Sequence, residues 1–154
     1  MRDHYPTPDL LASYLAEHIP ITMALGVEIR QATPERVLLS APFKPNINHK
    51  NTIFGGSLHA VATLSCWSML FIHLKKWAVP MEIVILRSEV DYLMPVTMDF
   101  EAECRFPASD AWMKFEKVLM KKGKAKIALT ATIYQKGRLA VNYQGVFVAL
   151  KASQ

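Results

Sequence analysis

The sequence predicts an α+β fold in which a curved antiparallel sheet wraps one long central helix, with a further helix at the N-terminus. The segment from Ser57 to about Trp77 is apolar on almost every side, and such a helix must be covered on every side. Long segments of alternating polarity joined by short turns fill most of the remaining chain, which is typical of antiparallel strands. The chain has 154 residues, 51% of them hydrophobic, which suffices for one domain with its own core.

Residues 1–24 form an N-terminal helical extension of the single predicted domain, residues 1–154. Apolar residues recur at helical spacing over 6–20, where Pro8 suits a first helical turn and Pro20 ends the helix. A short turn follows it. The acids and prolines at the start precede no apolar segment, so we expect no signal peptide.

Seven segments are predicted as strands from their alternation. They are residues 27–33, 36–43, 82–93, 99–106, 111–120, 125–135 and 139–150. Pro42 and Pro45 mark the second of them as an edge strand or the start of a departing loop, and Gly137 marks a tight turn before the last. A sheet of this kind around a buried helix is the hotdog fold. Its free edge favours pairing across a homodimer or homotetramer.

The net charge of +5 includes a basic cluster around Gly123, formed by Lys121, Lys122, Lys124 and Lys126. This cluster is either a solvated hairpin turn or a surface for an anionic partner, such as the phosphates of coenzyme A or an acidic carrier protein. The sequence contains neither a helix-turn-helix pattern nor an aromatic RNA-binding signature. We therefore expect no nucleic-acid partner.

Metal, disulfide and membrane functions are not expected. There is no CxxC or HExxH pattern, and His49 and His59 are not at helical ligand spacing, so no metal site is predicted. Cys66 and Cys104 lie in apolar surroundings and are interpreted as reduced, buried residues of a cytoplasmic protein. The apolar run 58–72 is shorter than the roughly 20 residues of a membrane span.

The polar stretch 48–61 directly precedes the apolar helix and is the candidate site. Gly55 and Gly56 lie where a helix leaves backbone N–H groups free and the helix dipole is positive. Small residues there let a carbonyl approach closely, as an oxyanion hole requires, although a tight turn into the helix would use the same glycines. A phosphate loop is disfavoured because the Lys-Ser/Thr pair that should follow is missing.

Several polar residues near the glycine pair are candidates for binding or catalysis. The Asn51 amide can donate to a developing oxyanion or orient a water, or it can simply bond to its own loop. His49 is a candidate general acid or base, or a structural or solvent-facing loop residue. The predicted substrate-binding residues are Asn48, His49, Phe54, His59 and Asp91.

The order of these features resembles hotdog enzymes that act on acyl thioesters. The resemblance is carried by Asn48, His49, Asn51, the Phe54-Gly55-Gly56 run, the helix after it and the DYLMPV segment at 91–96, and it covers roughly 25–150. The FGGSL and LSCWSML runs look more narrowly like the thioesterase domain that some bacteria fuse behind a GNAT acetyltransferase. That family has also been linked to decarboxylation of malonyl carrier protein.

Thr63 departs from the pattern of that resemblance. Many hotdog thioesterases carry an Asp or Glu at this helix position, which serves as a nucleophile or general base. A threonine hydroxyl can only donate a hydrogen bond or orient water. The predicted catalytic residues are Asn51, Thr63, Gly55 and Gly56, for hydrolysis of acyl thioesters of coenzyme A or acyl carrier protein. Decarboxylation, which needs no base, and non-catalytic acyl binding remain alternatives. No cofactor is expected beyond the coenzyme A or phosphopantetheine of the substrate.

Overall fold

The computed structural model describes residues 4–77 and 79–152. Within these residues there are four α-helices: α1 (Pro8–His18), α2 (Ile21–Leu25), α3 (Gly55–Leu74) and α4 (Ser109–Lys122). The same residues form six strands: β1 (Glu28–Ala32), β2 (Arg36–Ala41), β3 (Met81–Tyr92), β4 (Phe100–Arg105), β5 (Lys124–Gln135) and β6 (Arg138–Lys151). A short 3₁₀ helix spans Lys44–Asn46.

One antiparallel sheet with the order β1-β2-β4-β5-β6-β3 packs against α3. α3 contacts β2, β4, β5, β6 and β3, so it lies along the concave face of nearly the whole sheet. This arrangement confirms the predicted α+β hotdog fold. β2 lies inside the sheet, and Pro42 therefore begins a departing loop, not an edge.

The central helix α3 is buried along most of its length, as its uniform apolar composition predicts. It begins at Gly55 and ends at Leu74, somewhat earlier than predicted at both ends. Its 20 residues are long and apolar enough to cross a membrane by length and composition alone. Its burial, and not its length, is what favours a core helix over a membrane span.

The predicted N-terminal helix is present as α1, with Pro8 in its first turn. The Leu10 N–H donates to Thr7 Oγ1 over 3.2 Å, which caps the helix. Leu11 and Leu15 pack into the core. The segment that we interpreted as a short turn is the helix α2, which ends at Gly26 with a left-handed φ of 73°.

The prediction of a strand at 111–120 is wrong, because this segment lies within α4. Its buried residues Trp112, Phe115 and Leu119 are spaced by three and four, which is the helical period. The predicted lysine-rich hairpin turn is also wrong. Gly123 ends α4 with a φ of 73° and donates its N–H to Leu119 O over 2.8 Å, so the lysines surround a helix C-terminus.

The remaining strand patterns agree with the structure. β4 buries Phe100, Ala102 and Cys104 and exposes Glu101. The β5–β6 hairpin turns at Lys136 and Gly137, whose φ angles of 50° and 76° are both positive. Cys66 on α3 and Cys104 on β4 are free and buried, as predicted. The cytoplasmic location inferred from them stays a prediction.

β3 forms one edge of the sheet and presents apolar side chains there. It pairs with β6 on one side, and on the other side the described chain supplies no partner strand. A register shift between Ile85 and Arg87 places a bulge in the strand. Val84, Ile85 and Leu86 are 51%, 44% and 60% exposed. A long apolar edge of this kind invites pairing with another chain.

Candidate active site

The first turn of α3 keeps two backbone donors available. The N–H groups of Ser57 and Leu58 both donate to Phe54 O, over 2.9 and 3.2 Å. Within the described part of the chain, the N–H groups of Gly55 and Gly56 have no hydrogen-bond acceptor. Both therefore point, with the positive end of the helix dipole, to a place where an oxyanion could bind.

Two aromatic side chains, Phe54 and Tyr92, lie against this turn. A Cβ added at Gly56 would come within 2.4 Å of the Phe54 ring, so the glycine leaves room for the ring in its observed position. A Cβ at Gly55 would meet the Tyr92 ring at an ordinary 3.5 Å. The Tyr92 hydroxyl donates to Gly55 O over 3.1 Å, which ties β3 to the start of α3.

The next turns of α3 carry a half-buried polar stripe, His59 and Thr63, which we call the α3 stripe. His59 Nε2 lies 2.9 Å from Ser88 Oγ on β3. The Thr63 hydroxyl lies 2.8 Å from His59 O and 2.9 Å from the hydroxyl of Tyr143 on β6. The structure thus brings two of the predicted residues together with Ser88 and Tyr143.

Tyr143 is a fully buried hydroxyl in this group. Its burial raises the pKa of Tyr143 to about 12. Because this pKa lies far above neutral, Tyr143 keeps its proton and acts as a neutral hydrogen-bond donor. Its ring centroid lies 5.6 Å from that of His59.

Asn48 closes the loop before α3. Ile47 and Ile53 form an isolated antiparallel bridge at the base of this loop. Asn48 Oδ1 accepts the N–H groups of Lys50 and Thr52, and its Nδ2 donates to Thr52 Oγ1 over 2.8 Å. The side chain is therefore mostly occupied by its own loop, an arrangement typical of asparagine. Its predicted contact with substrate stays a prediction.

His49 and Asn51 lie at the exposed tip of this loop. Asn51 has a φ of 57°, a left-handed conformation that asparagine tolerates better than most residues. Among the residues that the structure describes, no hydrogen bond joins either side chain to the α3 stripe. The roles predicted for His49 and Asn51 thus stay predictions.

Asp91 lies on the opposite face of the sheet from the α3 stripe. After the bulge in β3, the half-buried residues are Ser88 and Val90, whereas Asp91 is exposed. Alternation along a strand sends such neighbours to opposite faces. Within its own chain, Asp91 is therefore not brought to Thr63, and its predicted role could only be played in a neighbouring subunit.

Sequence reasoning missed Tyr143, Ser88 and Tyr92. All three belong to predicted strands, but the sequence alone did not show which residues of β3 and β6 face α3. The bulge changes the inward parity within β3, so Ile83 and Ser88 both face inward although their numbers differ in parity. A signal existed for Tyr143, since a tyrosine amid small and apolar residues often buries its ring and needs a partner for its hydroxyl.

A sizeable cleft lies away from the candidate site, and the described residues form no metal cluster. A cleft of about 780 Å³ lies between β4, β5 and the start of α4, and no predicted site residue lines it. In the described chain, no group of three His, Cys, Asp or Glu side chains is placed to hold a metal ion.

The fold and the first turn of α3 define the class: a hotdog protein with two free backbone N–H groups at the start of its central helix. Residues 9–151 match the family model described as "Putative thioesterase (yiiD_Cterm)". The chain belongs to this family, in agreement with the resemblance drawn from the FGGSL run. The thioesterase-type function is thus that of the family.

Solved structures agree with this assignment. A protein of unknown function from Chlorobaculum tepidum TLS is similar over 95% of this chain and 98% of its own, at 31% identity and a TM-score of 0.88. A putative thioesterase from Shewanella oneidensis covers 93% of this chain and 96% of its own, at 27% identity and a TM-score of 0.78. A probable thioesterase from Pseudomonas aeruginosa, at 19% identity and a TM-score of 0.78 over 97% and 99% of the two chains, shares the fold.

Proposed function

We propose that the protein hydrolyses acyl thioesters of coenzyme A or acyl carrier protein. The observation that carries this proposal is the pair of free N–H groups at Gly55 and Gly56, one helical turn before the α3 stripe. Backbone donors fixed at a helix N-terminus stabilise the negative oxygen that develops when a thioester carbonyl is attacked. The stripe supplies hydroxyl and imidazole groups close by, where an attacking water would need a partner.

The substrate would reach the site beside exposed aromatic side chains. Phe54 and Tyr92 flank the first turn of α3 and are 57% and 52% exposed. They offer an apolar surface to an acyl chain or to the pantetheine arm. The phosphopantetheine or coenzyme A portion is part of the substrate, and the proposal includes no separate cofactor.

The basic cluster lies at a different place from this site. Lys121 and Lys122 end α4, next to Met120, which lines a cleft with Lys76 and Trp77 just beyond the C-terminal end of α3. The helix α3 is about 30 Å long by its rise per residue. Contact of these lysines with a substrate bound at the start of α3 in the same chain is therefore not part of the proposal.

Decarboxylation of a malonyl thioester is the second candidate. It is favoured by the residue at position 63, which is a threonine where many hotdog thioesterases carry an acidic residue. In the residues described, no carboxylate hydrogen-bonds to the α3 stripe. Loss of carbon dioxide needs no base but needs stabilisation of an enolate oxygen. The N–H groups of Gly55 and Gly56 could serve that oxygen equally well.

We also propose that the active form is a homodimer or homotetramer formed through β3. The unpaired edge and its exposed Val84, Ile85 and Leu86 support this assembly. β3 also carries Ser88 and Tyr92, which contact the α3 stripe and Gly55. A partner chain along this edge would therefore lie beside the site.

The deciding experiment is mass spectrometry of thioesters after incubation with the protein. The panel contains malonyl and straight-chain acyl groups, each on coenzyme A and on acyl carrier protein. Free acid plus free thiol is expected for hydrolysis. Acetyl thioester formed from malonyl thioester would establish the second candidate instead. Unchanged substrates throughout would contradict both reactions and leave non-catalytic acyl binding, which equilibrium binding of the same thioesters would reveal.

A further inference from the structure

We infer that Tyr143 is a positioning residue: it fixes the direction of the Thr63 hydroxyl, so that Thr63 holds the attacking water by accepting a hydrogen bond from it. Nothing in the family description or in the sequence pattern assigns this role to Tyr143. The inference rests on the proposed hydrolysis, because it names the group that orients the water in that reaction.

The donor and acceptor in each hydrogen bond from Tyr143 through Thr63 to His59 follow from the number of protons available. A threonine hydroxyl has one proton and two lone pairs, whereas a backbone carbonyl can only accept. The 2.8 Å contact from Thr63 Oγ1 to His59 O therefore uses the Thr63 proton. The 2.9 Å contact with Tyr143 is then a bond in which the tyrosine O–H donates to Thr63 Oγ1.

The reverse arrangement is disfavoured by the burial of Tyr143. If Thr63 donated to Tyr143, the tyrosine proton would need another acceptor, and none is found among the described residues. Tyr143 is 0% exposed, so water cannot take that proton at the surface. A buried donor without a partner costs about 1–3 kcal/mol.

Tyr143 also has little freedom to turn away. A Cβ added at Gly145 would lie 2.7 Å from the Tyr143 oxygen and 2.7 Å from the Phe147 ring, so the hydroxyl occupies the space that this glycine leaves open. The raised pKa of Tyr143, about 12, keeps the donor protonated at any ordinary assay pH. The Tyr143 O–H is therefore available to donate to Thr63 under assay conditions.

These bonds assign different roles to Thr63 and to the backbone N–H groups of Gly55 and Gly56. The half-buried Thr63 hydroxyl accepts a hydrogen bond from Tyr143 with one lone pair and donates its own proton to His59 O. One lone pair of Thr63 Oγ1 therefore remains free. A lone pair accepts an O–H of water but cannot stabilise an anionic oxygen. The oxyanion thus belongs to the N–H groups of Gly55 and Gly56. The water oxygen bonds to the acyl carbon and the C–S bond breaks; one water proton goes to the leaving sulfur to give the thiol, and the other stays on the carboxylic acid product.

The kinetic test uses Tyr143→Phe, Thr63→Val, Thr63→Ser and the double variant Thr63→Val/Tyr143→Phe, with the thioester that the wild type hydrolyses best. Tyr143→Phe should lower kcat about tenfold with KM within about twofold, because water orientation acts in the transition state. Thr63→Val should lower kcat about a hundredfold, and Thr63→Ser should restore most of it. The double variant should be no slower than Thr63→Val alone, because Tyr143 acts only through the Thr63 hydroxyl, which Thr63→Val already removes.

The matched control is Tyr134→Phe, which removes the hydroxyl of a tyrosine that is 57% exposed on β5 and should leave kcat unchanged. A neutron structure of the deuterated protein provides a readout that does not depend on turnover. It should show the Tyr143 deuterium directed at Thr63 Oγ1 and the Thr63 deuterium directed at His59 O.

Any of four outcomes would overturn the inference. Opposite deuterium positions would refute the hydroxyl direction, whatever the activity. Additive losses in the double variant, or an unchanged kcat in Tyr143→Phe, would refute the positioning role. A wild type that hydrolyses none of the thioesters would remove the proposed function and the role together, and the neutron result would then report only a structural bond.

Discussion

At the scale of single residues, Gly55 allows the backbone donor to be separated from packing. It is the first residue of α3, a position that proline tolerates well because the N–H there has no helical partner. Phe54 before it has φ −60° and ψ 131°, which is the extended conformation that proline requires of its predecessor. Gly55→Pro should therefore remove one oxyanion donor and keep the helix. We expect kcat for thioester hydrolysis to fall about 10²–10³-fold.

Gly55→Ala is the control for this change. Its added Cβ meets Tyr92 at 3.5 Å, an ordinary contact, and its N–H is retained. Alanine should keep kcat near the wild-type value, and circular dichroism should show equal helix content in both variants. If the proline and alanine variants were equally active, the Gly55 N–H would have no part in the reaction.

His73 gives a prediction about pH. It lies near the end of α3, 5% exposed, with Nε2 2.8 Å from Pro34 O and its ring against Phe106. Burial lowers the pKa of His73 below its usual 6.5. The unfolded chain therefore binds a proton more readily than the folded one. The stability that neutral His73 contributes is complete above about pH 6.5 and declines as the pH falls through the lowered folded-state pKa.

His73→Gln isolates this contribution, because glutamine can still donate to Pro34 O but does not titrate. Urea unfolding at pH 7.5 and pH 5.0 should show a larger loss of unfolding free energy in the wild type than in His73→Gln. An equal loss in both proteins would mean that other groups cause the acid sensitivity.

At the scale of elements, the helices show what the sequence determines locally. The composition of α3 predicts its burial without any knowledge of its neighbours, because an all-apolar helix has no other stable environment in water. For α4, the sequence pattern was interpreted as a strand. Trp112 and Phe115 are both buried but are three residues apart, so they could not lie on the same face of a strand, whereas this spacing places them on one face of a helix. The lysines that follow suit the negative end of the α4 dipole.

The candidate site contains residues whose relative positions follow from one helix and residues that other strands contribute. Gly55, Gly56, His59 and Thr63 were predictable because they lie on one helix, where spacing fixes their relative positions. Tyr143 and Ser88 come from other strands, and their approach depends on strand register and on the β3 bulge. Register depends on pairing distant in the sequence, which local alternation does not specify.

The assignment of α4 leads to a test on its two faces. Leu119 is 0% exposed and packs in the core, whereas its neighbour Met120 is 69% exposed. Leu119→Ala should lower the free energy of unfolding by about 2–5 kcal/mol. Met120→Ala should change it by less than about 0.5 kcal/mol. Equal effects in a urea titration would contradict the orientation of α4.

At the scale of the whole molecule, the sheet has two edges that differ in character. The β1 edge belongs to a strand of five residues, Glu28–Ala32, which carries Glu28 and Arg30 at its exposed positions. Charges on a short edge strand discourage pairing with another chain. The β3 edge is a strand of 12 residues with three consecutive exposed apolar side chains, Val84 to Leu86. Of the two edges in the described sheet, the β3 edge is therefore the better suited to pairing with another chain.

Leu86→Lys tests that assembly and its link to the site. Leu86 is 60% exposed in the single chain, so the substitution should leave the fold intact but place a charge in the interface. Light scattering should give the wild type a multiple of the 17.4 kDa chain mass, and should shift Leu86→Lys towards a single chain. Leu10→Lys, at a side chain 46% exposed on α1, is the control and should keep the wild-type mass.

Because β3 carries Ser88 and Tyr92, hydrolysis should fall in parallel with dissociation. A monomeric wild type would exclude the β3 interface, and a dissociated but fully active Leu86→Lys would show that each chain holds a complete site.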